Sequence, residues 1–183
     1  MKISYQIKEE DYLTHQLYTA SKTKKIRRKR IVFWLIVPVA YASAGYLSYF
    51  QFRQHNVGLV MFGLAIFWLL FYPFYSRWNY KRHYRNHIQK HLKGQFDQVV
   101  SLELGDNRLI IQDAKGNNSN IKYVSVKEIV ELPDHFLIRM QTNSSIIFPK
   151  REFKDIKELQ KFLGLIVTRH KVSFRKDVKW KWR

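Results

Sequence analysis

The chain contains no cysteine. That excludes disulfides, zinc–thiolate centres, cysteine nucleophiles and lipid attachment through sulfur. It agrees with a reducing compartment without requiring one. Acid is missing too, and more selectively. Between Asp11 and Asp97 there is no Asp or Glu, yet the same stretch holds fourteen Lys and Arg. There is no phosphate loop, no nucleophile elbow and no His-Glu-x-x-His, so neither an enzyme nor a cofactor is expected.

Inside the acid-free stretch lie two long apolar runs, 31–50 and 57–75. The first has twenty residues and no charge. At about 1.5 Å per residue it reaches roughly 30 Å, the thickness of a bilayer's hydrocarbon core. It begins behind a polar, acidic N-terminus, unlike a secretory signal, so both runs read as retained membrane helices. Pro38 predicts a kink or a loosened backbone bond in the first. Ala40, Ala44 and Gly45 in the first run, and Gly58, Gly63 and Ala65 in the second, offer small faces for close helix packing. The same faces would allow self-association.

Lys22, Lys24, Lys25, Arg27, Arg28, Lys29 and Arg30 precede the first run. Arg77, Lys81, Arg82, Arg85, Lys90 and Lys93 follow the second, whereas the connection 51–56 carries only Arg53. The positive-inside rule then predicts two passes, both termini in the cytoplasm and a short external loop. Phe33, Trp34, Tyr49, Phe50, Trp78 and Tyr80 crowd the run boundaries, where amphipathic rings favour headgroups. The formal net charge is +19 over 183 residues, and its surplus hugs the apolar runs. That distribution points to an anionic phospholipid surface rather than to nucleic acid. The residues expected to face lipid are Lys22, Lys24, Lys25, Arg27, Arg28, Lys29, Arg30, Arg77, Lys81, Arg82 and Arg85.

Ile3, Tyr5 and Ile7 alternate with polar residues, the period of a half-buried strand. A lone strand is unstable, so it should join a sheet from the C-terminal half. Residues 8–23 read as a helix opened by Glu9, Glu10 and Asp11. The second membrane helix should continue through 78–93. Beyond Gly94 the pattern turns to strands at 99–104, 108–113, 120–124, 129–132, 135–141 and 145–148. Gly105-Asp106-Asn107, Gly116-Asn117-Asn118, Pro133-Asp134 and Thr142-Asn143-Ser144 mark turns between them. Asp155 with Glu158 fits a capping box, and Ile156, Leu159, Phe162, Leu163 and Ile166 share one face of the helix that follows. The tail 171–183 alternates again and reads either as a late strand or as an interfacial tail carrying Trp180 and Trp182.

This order resembles a pleckstrin-homology-like half-open barrel. Ser145-Ile-Ile-Phe-Pro149-Lys150-Arg151-Glu-Phe153, after Phe136-Leu-Ile-Arg-Met, is similar to the C-terminal domain of the bacterial YcxB-like family. Tyr5, Glu10-Asp11-Tyr12 and the two-helix anchor extend that resemblance. It implies a fold, not an activity, and a bacterial inner or plasma membrane.

The expected layout is a membrane α-hairpin plus an α+β part. Residues 1–30 form an N-terminal strand and amphipathic helix, the strand packing on the C-terminal domain. Residues 31–76 form the transmembrane hairpin and 77–94 a juxtamembrane helix. Residues 95–168 form a cytoplasmic, antiparallel, pleckstrin-homology-like β domain capped by one helix, and 169–183 a basic aromatic tail. Lys150, Arg151 and Lys154 cluster at a strand-to-helix junction as a candidate ligand or headgroup site. His83, His87 and His91 share a helix face, but no carboxylate is near and the neighbouring cations oppose a metal. The expected function is a non-catalytic, membrane-anchored interaction or sensing module with an unidentified protein partner. The alternative is an immunity protein against a membrane-active toxin.

Overall fold

The computed structural model describes residues 2–92, 94, 96–105, 108–112, 118–142, 144–153 and 155–182. The chain divides into two compact units. One comprises residues 1–15 and 85–181, the other residues 16–84 and 182–183. The elements in chain order are β1 (Lys2–Gln6), α1 (Glu9–Lys22), α2 (Lys24–Tyr46), α3 (His55–His91), β2 (Val99–Leu104), β3 (Arg108–Gln112), β4 (Asn118–Lys122), β5 (Val126–Glu131), β6 (His135–Met140), β7 (Ser145–Pro149), α4 (Ile156–His170) and β8 (Ser173–Lys176).

In the hairpin unit, α2 starts earlier than the apolar run. The basic residues from Lys24 onward are therefore already helical. Thr23 separates α1 from α2, so the first helix does not simply run on into the second. Pro38 is accommodated inside α2, and Pro73 inside α3. A π turn, Leu47–Gln51, ends the first arm, and Phe52 N donates back to Leu47 O at 3.1 Å. The turn then passes through Arg53 at φ 54°. Here the two arms touch most closely. A Cβ on Gly58 would lie 2.7 Å from Tyr49 Cβ and 3.0 Å from Gly45 O, whereas one on Gly63 would meet nothing within 4 Å. At the other end, Trp34 Nε1 donates to Leu69 O at 2.9 Å and Trp68 Nε1 to Phe33 O at 3.3 Å. Both arms are long and apolar enough to cross a membrane. Their apolar side chains stay uncovered, as at Ile36 (57% exposed) and Leu70 (68%).

The β unit holds two four-stranded sheets. The first has the order β1-β2-β3-β4 and is antiparallel throughout. Its edge strand β1 pairs Tyr5 with Val100 and Lys2 with Glu103. The second sheet has the order β7-β6-β5-β8. β6 pairs antiparallel with β5 and β7, but β8 runs parallel to β5, with Ile129 opposite Phe174. Part of the tail, Ser173–Lys176, thus forms a strand, and it joins a neighbour far back in the chain rather than extending a meander. Tyr5, Leu102 and Leu109 from the first sheet share one core with Ile129, Phe136, Ile138 and Phe148 from the second. Leu159, Leu163 and Ile166 of α4 close it. Ile156, on the predicted apolar face of α4, is 38% exposed. Asp155 caps this helix, its carboxylate accepting from Lys157 N at 2.8 Å and Glu158 N at 3.2 Å. Asp106, Asn107, Gly116, Asn117 and Asn143 of the predicted turns lie outside the described residues, as does Lys93.

Candidate functional site

In the β unit, three carboxylates are buried, and each is paired with a cation. Asp11 stands at the third position of α1, where a carboxylate can reach back to the capping residue. Its Oδ2 accepts from Lys8 N at 2.7 Å. Arg151, just past β7, then grips it with two nitrogens, each 2.6 Å from a carboxylate oxygen. His135, opening β6, adds Nε2 at 2.7 Å from Oδ1. Because an ionised carboxylate only accepts, Nε2 carries the hydrogen.

Burial alone would push the Asp11 carboxyl up. The bonds from Arg151, His135 and Lys8 outweigh it and hold the group well below the ordinary carboxylate range. The bond to Asp11 in turn raises Arg151. A carboxylate saturated in this way is a weak base. The cluster is therefore a clasp rather than a proton-transfer site. It joins the first turn of α1 to the open end of the β6–β7 hairpin, where His135 pairs with Pro149.

Two further carboxylates are buried on β5. Glu131 accepts from Lys150 Nζ at 2.9 Å and from Gln160 Nε2 at 3.0 Å. Glu128 accepts from Arg139 at 2.6 Å and lies 3.4 Å from Arg175. The predicted cluster at 150–154 is thereby redistributed. Lys150 turns to Glu131 and Arg151 to Asp11 and Glu152, while Lys154 lies outside the described residues. Arg85 likewise pairs with Glu9 and Glu10 in the same unit.

His83, His87 and His91 are exposed on α3, and His87 and His91 stack at 4.6 Å. Among the described residues no group of His, Asp and Glu could hold a metal ion.

The hairpin unit answers its charge differently. Lys22, Lys24, Lys25, Arg27, Arg28 and Lys29 are exposed, as are Lys81 and Arg82. Rings lie close to several cations of this unit. Arg82 lies 5.2 Å from the Trp78 ring, Arg77 5.7 Å from Phe74, and Lys29 5.9 Å from Phe33. Arg30 is half-buried. Its Nε donates to Ser76 Oγ at 3.1 Å, and its guanidinium sits 4.9 Å from Trp182 and 5.7 Å from Tyr80. Trp182 is held there by its Nε1, which donates to Arg77 O at 3.1 Å. Beside this stack opens a cleft of about 270 Å³, lined by Arg27, Arg30, Ile31, Trp34, Tyr72 and Ser76.

The fold and these sites define an α+β protein with two long apolar helices. A family model described as YcxB-like protein matches residues 104–166. That match supports the YcxB-like resemblance read from the 136–153 segment, and it spans β3 through β7 and most of α4. No curated protein and no solved structure matches the chain.

Asp11 and His135 were not among the residues that sequence reasoning singled out as sites. Asp11 looked like a helix-opening acid, and His135 a strand residue. The signal present was indirect: the two motifs that carry the family resemblance, Glu10-Asp11-Tyr12 and Pro149-Lys150-Arg151, meet in this clasp.

Proposed function

We propose that the protein is a non-catalytic, membrane-anchored interaction or sensing module. The hairpin unit crosses the bilayer twice, with both termini in the cytoplasm. The observation that carries this reading is the band of acid-free, ring-bound cations beside uncovered apolar helices. In water such a surface would aggregate; in a bilayer the apolar arms meet lipid tails and the cations meet anionic headgroups. The Arg27–Arg30 cleft suits one such headgroup, because two arginines line it together with apolar Ile31 and Trp34.

The β unit reads as a pleckstrin-homology-like domain interrupted by the hairpin. Seven antiparallel strands in two sheets followed by a helix support that reading. The parallel β8 is an addition to it. The saturated ion clusters favour a rigid recognition platform over an active site. Alkaline carbonate extraction of membranes containing the full chain tests the anchor. The protein should stay in the pellet, and its release into the supernatant would reject the reading.

A further inference from the structure

The outer end of the first sheet carries charge that the rest of the β unit does not answer. Arg108 opens β3 and Lys122 closes β4, and the two are direct cross-strand partners. Like charges placed opposite each other destabilise a strand pair. Every buried carboxylate of this unit has a cation, yet neither Arg108 nor Lys122 has a carboxylate within ion-pair distance among the described residues.

Next to them is a depression of about 490 Å³, lined by Arg108, Asn120, Lys122, Val124 and His170. His170 ends α4 and stacks on Tyr123 at 5.1 Å. Its Nε2 is buried without a hydrogen-bond partner among the described residues. Tyr123 is itself fixed by its hydroxyl, which donates to Gly105 O at 2.9 Å. The residue on which His170 stacks is therefore anchored.

We propose that this depression binds a phosphate-bearing anion. Arg108 offers a fork of donors, Lys122 a point charge, and Asn120 an amide. An anion between the two cations would turn their repulsion into a bridge. The last carbonyls of α4 oppose it, but they amount to about half a negative charge, against two full positive ones. Arg169 and Lys171 flank the same helix end and weaken that opposition further. The pair lies at the opposite end of the first sheet from the Gln6–Val99 pairing, where the chain enters α1. The site does not depend on the membrane reading.

Two sources share this chemistry: a soluble phosphorylated compound and a phospholipid headgroup. The test is calorimetric titration of the full chain, in neutral detergent, with inorganic pyrophosphate and separately with the deacylated headgroup of phosphatidylglycerol. Saturable binding of one phosphate ligand per chain is expected. Arg108→Gln or Lys122→Gln should weaken it about tenfold, the effect of losing one charge-assisted bond. Lys122→Arg should keep affinity within about twofold, which separates charge from folding. Lys127→Gln, on exposed β5 surface, removes the same charge and should also stay within about twofold. The tighter of the two ligands names the source. Absence of binding by both ligands, or equal weakening by Lys127→Gln, would overturn the proposal.

Discussion

The two units handle charge in opposite ways. In the β unit, Asp11, Glu128 and Glu131 are buried, and each is gripped by Arg, Lys or His. The hairpin unit has no acid at all, and its cations rest on rings or face outward. Apolar side chains divide the same way. They are sealed between two sheets and α4 in one unit and left open along α2 and α3 in the other. The lesson is that the β unit carries its own counter-charge and core, whereas the hairpin unit borrows both from its surroundings. On the proposed reading, a bilayer would supply both, with anions at its edge and hydrocarbon inside.

The comparison breaks most sharply at Asp11. Asp11→Ala removes the carboxylate that His135 and Arg151 share, leaving Arg151 only Glu152 as counter-ion among the described residues, and should lower the stability of the β unit by about 3 kcal/mol. Chemical denaturation followed by the signal of the β unit measures it. An unchanged midpoint would mean that the clasp contributes nothing. In the hairpin unit, the comparable break is steric. Gly58→Ala drives a methyl against Tyr49 and Gly45, at an expected loss of about 1–3 kcal/mol. A thermal melt of the full chain in detergent checks it, and Gly63→Ala, which has open space, should show no such loss.

The strands, the two apolar runs and the Asp155 cap were legible in the sequence because each rests on local spacing. Alternation at Ile3, Tyr5 and Ile7 marks β1 before any partner is known. The clasp was not legible, because Asp11 lies 124 residues from His135 and 140 from Arg151. No local period reports such a meeting. The pairing of β8 with β5 is hidden for the same reason, since a parallel partner is reached only through a long crossover. Arg151 and Lys150 read as a candidate ligand or headgroup cluster because Asp11 and Glu131, which take them, sit on other elements.

A smaller effect follows from acidity. Burial, with Arg139 nearby, pushes His15 down to about 4. The unfolded chain then binds more protons between about pH 6.5 and 4, so stability falls as pH drops through that window. The depressed Asp11 acts lower: its contribution is present above the ordinary carboxylate range and is lost below about pH 4. His15→Gln should flatten the upper limb of a stability-against-pH curve and leave the lower one, whereas Asp11→Asn should flatten the lower. The smallest change belongs to the collar. Removing one exposed cation, as in Arg28→Gln, should weaken association with anionic over zwitterionic lipid by up to about fivefold. Lipid co-purification checks it.

The central claim is that the two units live in different phases. Because the chain has no cysteine, single cysteines report cleanly. Gln54→Cys, in the turn of the hairpin, should react with a membrane-impermeant maleimide on intact cells. Lys127→Cys, on β5, should react only after permeabilisation. Labelling of Lys127→Cys from outside, or protection of Gln54→Cys until the cells are opened, would contradict the account.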